Sequence, residues 1–161
     1  MRFNFRGVGR SQGSFARGEG ELSDAAAALD WLQGYNENAS QCWIAGFSFG
    51  AWIGMQLLMR RPEITSFVSV APPANMYDFS FLAPCPSSGL FLSGDKDDIV
   101  PADSIETLVG KLRQQRGIEI DHHTIAGANH FYHDRLGEME KLVGDYLDTA
   151  MAPKPEEVVS D

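Results

Sequence analysis

The chain has 161 residues, 43% of them hydrophobic, which suits one domain with a core of its own. A formal net charge of −9 argues against nucleic acid or an anionic membrane as a partner. The 2 cysteines build no disulfide framework, and no apolar run is long enough to span a bilayer. Cys42, entering an apolar run, and Cys85, between two prolines, read as reduced thiols in a cytoplasmic setting.

Segments of strand and helix character alternate along the chain, which predicts an α/β domain on a mostly parallel sheet, a three-layer sandwich. Arg2–Phe5 is predicted as a short strand, followed by a loop containing Gly7, Gly9 and Gly13. The glycines do not follow G-x-G-x-x-G and no acid ends the next strand, so they read as turn formers rather than a dinucleotide cradle. Arg6 is expected to bridge this loop. Glu21–Leu32 is predicted helical, with Leu22, Ala25, Ala26, Leu29 and Leu32 on one face. Cys42–Ala45 reads as a strand, and Phe49–Arg61 as a buried apolar helix ended by Pro62.

Ile64–Val70 is the next predicted strand. Ala71–Ser88 is irregular, and Tyr77, Phe79 and Phe81 in it are candidates for a pocket wall. Leu90–Ser93 reads as a strand, Ile105–Leu112 as an amphipathic helix and Ile118–Ile125 as a strand. Leu136–Leu147 is the last predicted helix, with Leu136, Met139, Val143 and Leu147 inward. Trp31, Trp43 and Trp52 read as packing residues. The domain is expected to span residues 1–151, and residues 152–161, proline-containing and acidic, are expected to be disordered.

The most informative string is Gly46-Phe47-Ser48-Phe49-Gly50, set between a predicted strand and a predicted helix. In that context G-x-S-x-G predicts a nucleophile elbow, a turn so tight that small residues must flank the serine. The helix behind it favours negative charge developing near its N-terminus. A serine hydroxyl is a weak nucleophile and needs a base in hydrogen-bond reach, itself oriented by an acid. The loop Gly94-Asp95-Lys96-Asp97-Asp98 offers acids, and the loop Gly127-Ala128-Asn129-His130-Phe131 offers a base. In a parallel sheet both emerge at the same C-terminal edge as the elbow. Loop chemistry alone leaves Asp95, Asp97 and Asp98 open as the acid. His122 and His123 point to opposite faces of a strand, which argues against a metal shared among His122, His123, His130 and His133.

From Arg2 to Leu147 the chain resembles an α/β-hydrolase of the lidless, dienelactone-hydrolase-like or small serine esterase type. The segment Asn4–Ser11 resembles the phenylalanine-arginine-glycine loop after the family's fourth strand. The family's acid motif, G-x-x-D-x-x-V-P, aligns on Gly94, Asp97, Val100 and Pro101, and its histidine falls on His130. The resemblance thus implies a catalytic set of Ser48, Asp97 and His130, with the Phe49 backbone N–H as one oxyanion donor. It implies no cofactor and no metal, and a small-molecule acyl substrate. Dienelactone hydrolases proper carry cysteine at the elbow, so the serine favours plain ester or thioester chemistry. The segment where lipases insert a lid is short here.

One departure stands out. In the family's sheet the third strand lies between the fourth and the fifth, here Arg2–Phe5 and Cys42–Ala45, and the first three strands have no counterpart. The expectation is a gap between these two strands or a non-family register. The loop after that third strand supplies the second oxyanion donor, and losing one such donor costs roughly 100- to 1,000-fold in rate. The chain is therefore expected to be N-terminally truncated, with Met1 inside the fourth strand. Two functions follow as alternatives: a serine hydrolase working through an acyl-enzyme, or an impaired hydrolase-like fragment or binding domain.

Overall fold

The computed structural model describes residues 1–152. In chain order the elements are α1 (Glu19–Tyr35), β1 (Trp43–Phe47), α2 (Phe49–Leu58), β2 (Ser66–Val70), β3 (Gly89–Gly94), α3 (Ala102–Leu112), β4 (Ile120–Ile125) and α4 (Leu136–Met151). The strands lie side by side in the order β1-β2-β3-β4, and every pair is parallel. Phe47 stands opposite Val70, Val70 opposite Leu92 and Gly94 opposite Ile125. That register aligns the C-terminal ends of all four strands along one edge. Residues 153–161, for which disorder is expected from composition, lie outside the described residues.

The inner strands are apolar on both faces because both faces are covered. Phe67 and Phe91 point into a core built with Ala25 and Leu29 of α1, Ile53 and Leu57 of α2, and Ile105 and Val109 of α3. On the opposite face Val68, Leu90 and Leu92 meet Met139, Leu142, Val143 and Tyr146 of α4. Helices on both faces of a parallel sheet make the expected three-layer α/β sandwich. At Gly46 a Cβ would run into the backbone of Gly50 and Ala51, so only glycine lets α2 turn back directly over β1. In the first turn of α1, Glu21 is buried and accepts the Ala16 and Gly18 N–H groups, each at 2.8 Å. Burial opposes its charge, but these bonds outweigh it and hold the carboxyl below the usual range. Arg6 forks onto Asp24 at 2.7 and 3.0 Å, the loop bridge expected of it.

Several expectations are corrected. Arg2–Phe5 is not a strand, and β1 is an edge of the sheet. Phe3 packs edge-on against Phe5, and Phe5 against Phe49, so aromatic packing and the Arg6–Asp24 fork anchor the segment without a strand ladder. Between it and β1 lies a groove of about 690 Å³, lined by Phe3, Phe5, Ile44, Phe47, Tyr132 and Met139 among others. The expected gap is this groove. α4 has no buried residue, and Leu136, expected inward, is 50% exposed because it stands at the groove's open side. Trp31 is exposed and stacks on Tyr35 one turn along the outer face of α1, rather than packing inward. Phe79 is buried, and Tyr77 and Phe81 pack against the same core, so all three aromatics expected in a pocket wall serve packing. α1 runs one turn longer than its apolar face, and α2 stops at Leu58, where Arg60 N–H bonds to Leu57 and tightens the last turn before Pro62.

Candidate active site

β1 ends at Phe47 and α2 begins at Phe49, so Ser48 alone makes the turn between strand and helix. Its backbone sits at φ 50° and ψ −120°, a conformation that costs a non-glycine residue of order 1–3 kcal/mol. The conformation is held from both sides. The Ser48 N–H donates to Val70 of β2 at 2.8 Å, and its carbonyl accepts from Ala51 at 2.9 Å. The side chain is thereby raised at the C-terminal edge of the sheet. Phe49 opens α2, where the first N–H groups have no acceptor one turn back and the helix dipole is positive.

The acid loop follows β3. The Asp97 carboxylate folds back on its own loop, with Oδ1 accepting the N–H groups of Ile99 at 2.9 Å and Val100 at 2.7 Å. Its other oxygen, Oδ2, meets His130 Nδ1 at 2.8 Å, and both side chains are buried. His130 Nε2 lies 3.0 Å from Ser48 Oγ. The rings of Phe47 and Phe131, centred 5.0 and 5.2 Å from the imidazole, leave it little room to rotate. The fold thus brings together Ser48, Asp97 and His130 from three loops in one unbroken hydrogen-bonded series. Asp98 is exposed at the same loop and does not join it.

The turn carrying His130 has its own scaffold. Asn129 Oδ1 accepts the Phe131 and His133 N–H groups at 3.1 and 3.2 Å, and Tyr132 takes a positive φ of 54°. An asparagine two residues before a backbone N–H is a turn signal legible in sequence. Sequence reasoning missed the contacts beneath the loops. Ser93 Oγ is 2.9 Å from both His122 Nε2 and Thr124 Oγ1, tying β3 to β4 just before they release the acid and base loops. Burial, then the Arg113 charge, lower the His122 pKa, which favours its neutral ring. No motif signals this pair, because it arises only from the β3–β4 register. His123 is exposed, as expected of an outward strand residue.

Chemically, a hydroxyl bonded to an imidazole whose far nitrogen faces a buried carboxylate is an arrangement for removing the hydroxyl proton. A parallel sheet between helices, with an elbow serine at its C-terminal edge and acid and histidine loops following in chain order, defines the α/β-hydrolases. Within that class the chain belongs to the X-Pro dipeptidyl-peptidase (S15) family, whose model matches residues 2–139. An uncharacterized protein of Rickettsia prowazekii is 56% identical over 153 residues, which are 92% of this chain and 64% of that protein. A crystal structure from Agrobacterium tumefaciens, of unknown function and only provisionally called an α/β hydrolase, is 57% identical. It superposes with a TM-score of 0.92 over 96% of this chain and 72% of its own. A lidless α/β serine hydrolase from Xanthomonas campestris is 32% identical, with a TM-score of 0.84 over 96% of this chain and 67% of its own. The chain therefore covers only part of the fold of its relatives, and just under two thirds of the Rickettsia protein.

Proposed function

We propose that the chain is a serine hydrolase that cleaves a small ester, thioester or related acyl bond through an acyl-enzyme intermediate. The observation that carries this reading is the Ser48–His130–Asp97 hydrogen-bond series at the strained elbow. In the first half-reaction His130 Nε2 takes the Ser48 proton while Oγ bonds to the substrate carbonyl carbon. The carbonyl oxygen becomes negative and is met by the Phe49 N–H at the positive end of α2. His130 returns the proton to the leaving alcohol or thiol as its bond to the acyl carbon breaks. In the second half, His130 takes a proton from water as the water oxygen adds to the acyl carbon, and the proton then passes to Ser48 Oγ as its bond to the acyl carbon breaks and the acid product leaves. Asp97 holds the ring in the tautomer that presents Nε2 as acceptor. The family's description names a peptidase, and amide cleavage runs through the same steps with a poorer leaving group.

A second reading is an impaired hydrolase-like or binding domain. It is favoured by the groove beside β1, since among the described residues no strand lies on that flank whose following loop would supply a second oxyanion donor. A fluorophosphonate probe separates the two. Covalent labelling at Ser48, lost in Ser48→Ala and weakened in His130→Ala, supports the enzyme; a folded sample that takes no label supports the second reading. The proposed partner is a small acyl compound rather than nucleic acid or membrane, consistent with the net charge of −9. Among the described residues no helix is long and apolar enough to cross a membrane. Cys42 and Cys85 are both unpaired, in keeping with the proposed cytoplasmic setting.

A further inference from the structure

The acid and base loops are fastened to each other before either reaches its reactive residue. Asp95 N–H donates to the Ile125 carbonyl at 3.2 Å, and Lys96 N–H to the Ala128 carbonyl at 3.0 Å. Gly94 is packed so closely against Ala128 that a Cβ there would overlap the Ala128 backbone. One side chain joins this backbone zip: Asp95 Oδ1 accepts the Gly127 N–H at 2.6 Å. Gly127 holds a φ of +74°, so its amide orientation depends on what the loop around it is bonded to. From the other side Arg135 Nε donates to the neighbouring Ala126 carbonyl at 2.9 Å. Two charged side chains thus grip the two ends of one peptide unit, Ala126–Gly127, at the start of the loop that carries His130. The zip ends at Lys96, one residue before Asp97, and at Ala128, two residues before His130.

We infer that Asp95 is a positioning residue, whose carboxylate pins the Gly127 amide and so fixes the distance between Asp97 and His130. This gives Asp95 a role distinct from that of the acid facing His130. Asp95 touches neither Ser48 nor the imidazole; it acts through the loop. A carboxylate accepting a single short N–H bond is stronger than a neutral acceptor, but an amide oxygen at the same place keeps the geometry. The important property is therefore an acceptor atom at that reach, not the charge. Loosening the loop lets His130 drift from the line between Ser48 and Asp97, and displacements of about 1 Å at a reacting centre cost up to roughly 100-fold in rate.

The inference rests on the serine hydrolase reading for its kinetic side, and the experiment keeps the two apart. Asp95→Ala and Asp95→Asn are compared with the unaltered chain in two measurements. One is the rate of fluorophosphonate labelling at Ser48. The other is the low-field proton resonance of the His130 Nδ1–H, which reports its bond to Asp97 with no turnover. Asp95→Ala is expected to slow labelling by about 10- to 100-fold. It should also shift or broaden the resonance, with reversible probe affinity unchanged. Asp95→Asn should restore most of both. Should the alanine variant fold poorly, Asp95→Ser, too short to reach Gly127, carries the same expectation. Unchanged labelling and resonance in Asp95→Ala would overturn the inference. So would equal loss in the alanine and asparagine variants, which would point to charge alone. If the unaltered chain takes no label but its resonance responds to Asp95→Ala and recovers in Asp95→Asn, the hydrolase reading falls and the positioning role stands.

Discussion

On one flank β1 is matched residue for residue to β2, from Trp43 against Ser66 to Phe47 against Val70. On its other flank there is no strand among the described residues, and an apolar groove separates it from Arg2–Phe5. The two flanks divide the site. Everything hydrogen-bonded to Ser48 in the series comes from the paired side: the Val70 carbonyl that holds the elbow, and the loops after β3 and β4 that bring Asp97 and His130. The groove on the open side is lined in part by the exposed rings of Phe47 and Phe131 and the buried Tyr132, but it holds no backbone partner for β1 among the described residues. A nucleophile, base and acid can therefore be assembled by sequential parallel strands alone.

The largest expected effect falls on the paired flank. Removing the nucleophile in Ser48→Ala should lower turnover of a p-nitrophenyl ester by a factor on the order of 10^6, with folding unchanged by circular dichroism. A variant that retains activity would show that the hydrogen-bonded series is not the reactive one. Next comes Asp97→Asn, which leaves the loop shape nearly intact but offers His130 an amide. Turnover should drop by roughly 10^4-fold as the imidazole loses its tautomer control.

Gly46→Ala tests how tightly β1 is held from above by α2. The added methyl meets the Gly50 and Ala51 backbone, so destabilisation of about 1–3 kcal/mol is expected in denaturant unfolding. A neutral outcome would mean that α2 gives way as readily as the open flank.

The smallest effect probes the groove. Tyr132 is 1% exposed, and its hydroxyl has no hydrogen-bond partner among the described residues. Tyr132→Phe removes an unsatisfied polar atom and should raise stability by about 1 kcal/mol. Burial, reinforced by the Asp97 charge, pushes the Tyr132 hydroxyl above its ordinary value of 10.0. The neutral phenol is thus the form the fold favours, and its contribution is complete below pH 10. It fades as the pH rises past the unfolded tyrosine's pKa toward the higher folded one. Urea midpoints taken between pH 9 and 11 should fall less steeply in Tyr132→Phe than in the parent chain. Tyr146 is raised in the same way and leaves a residual slope.

Much of this was legible in the chain. Apolar runs placed every sheet strand within two residues, because buried parallel strands such as Phe67–Val70, interrupted only by Ser69, and Leu90–Leu92 are covered on both faces. Ser48 was legible because an elbow demands glycines at fixed offsets, and those offsets are local. Arg2–Phe5 was misread for the opposite reason. Its residues suit a strand, but a strand exists only with a neighbour to bond, and propensity says nothing of neighbours. Leu136 and Trp31 misled in the same way, since an apolar residue on a helix is buried only if something lies across from it. Asp95 and Asp98 looked alike as loop acids; only the approach of Gly127 distinguishes them.

By itself the sequence determined the α/β class, the order of elements and the types of the three residues proposed to react, because periodicity and turn chemistry are written in short stretches. Only the tertiary structure decided which atoms meet. The distances from Ser48 Oγ to His130 and from His130 to Asp97, the zip between the acid and base loops, and the open flank of β1 all depend on strand register and packing. Those are properties of residues far apart in the chain, brought together by the burial of Phe67, Phe91 and their neighbours on the sheet.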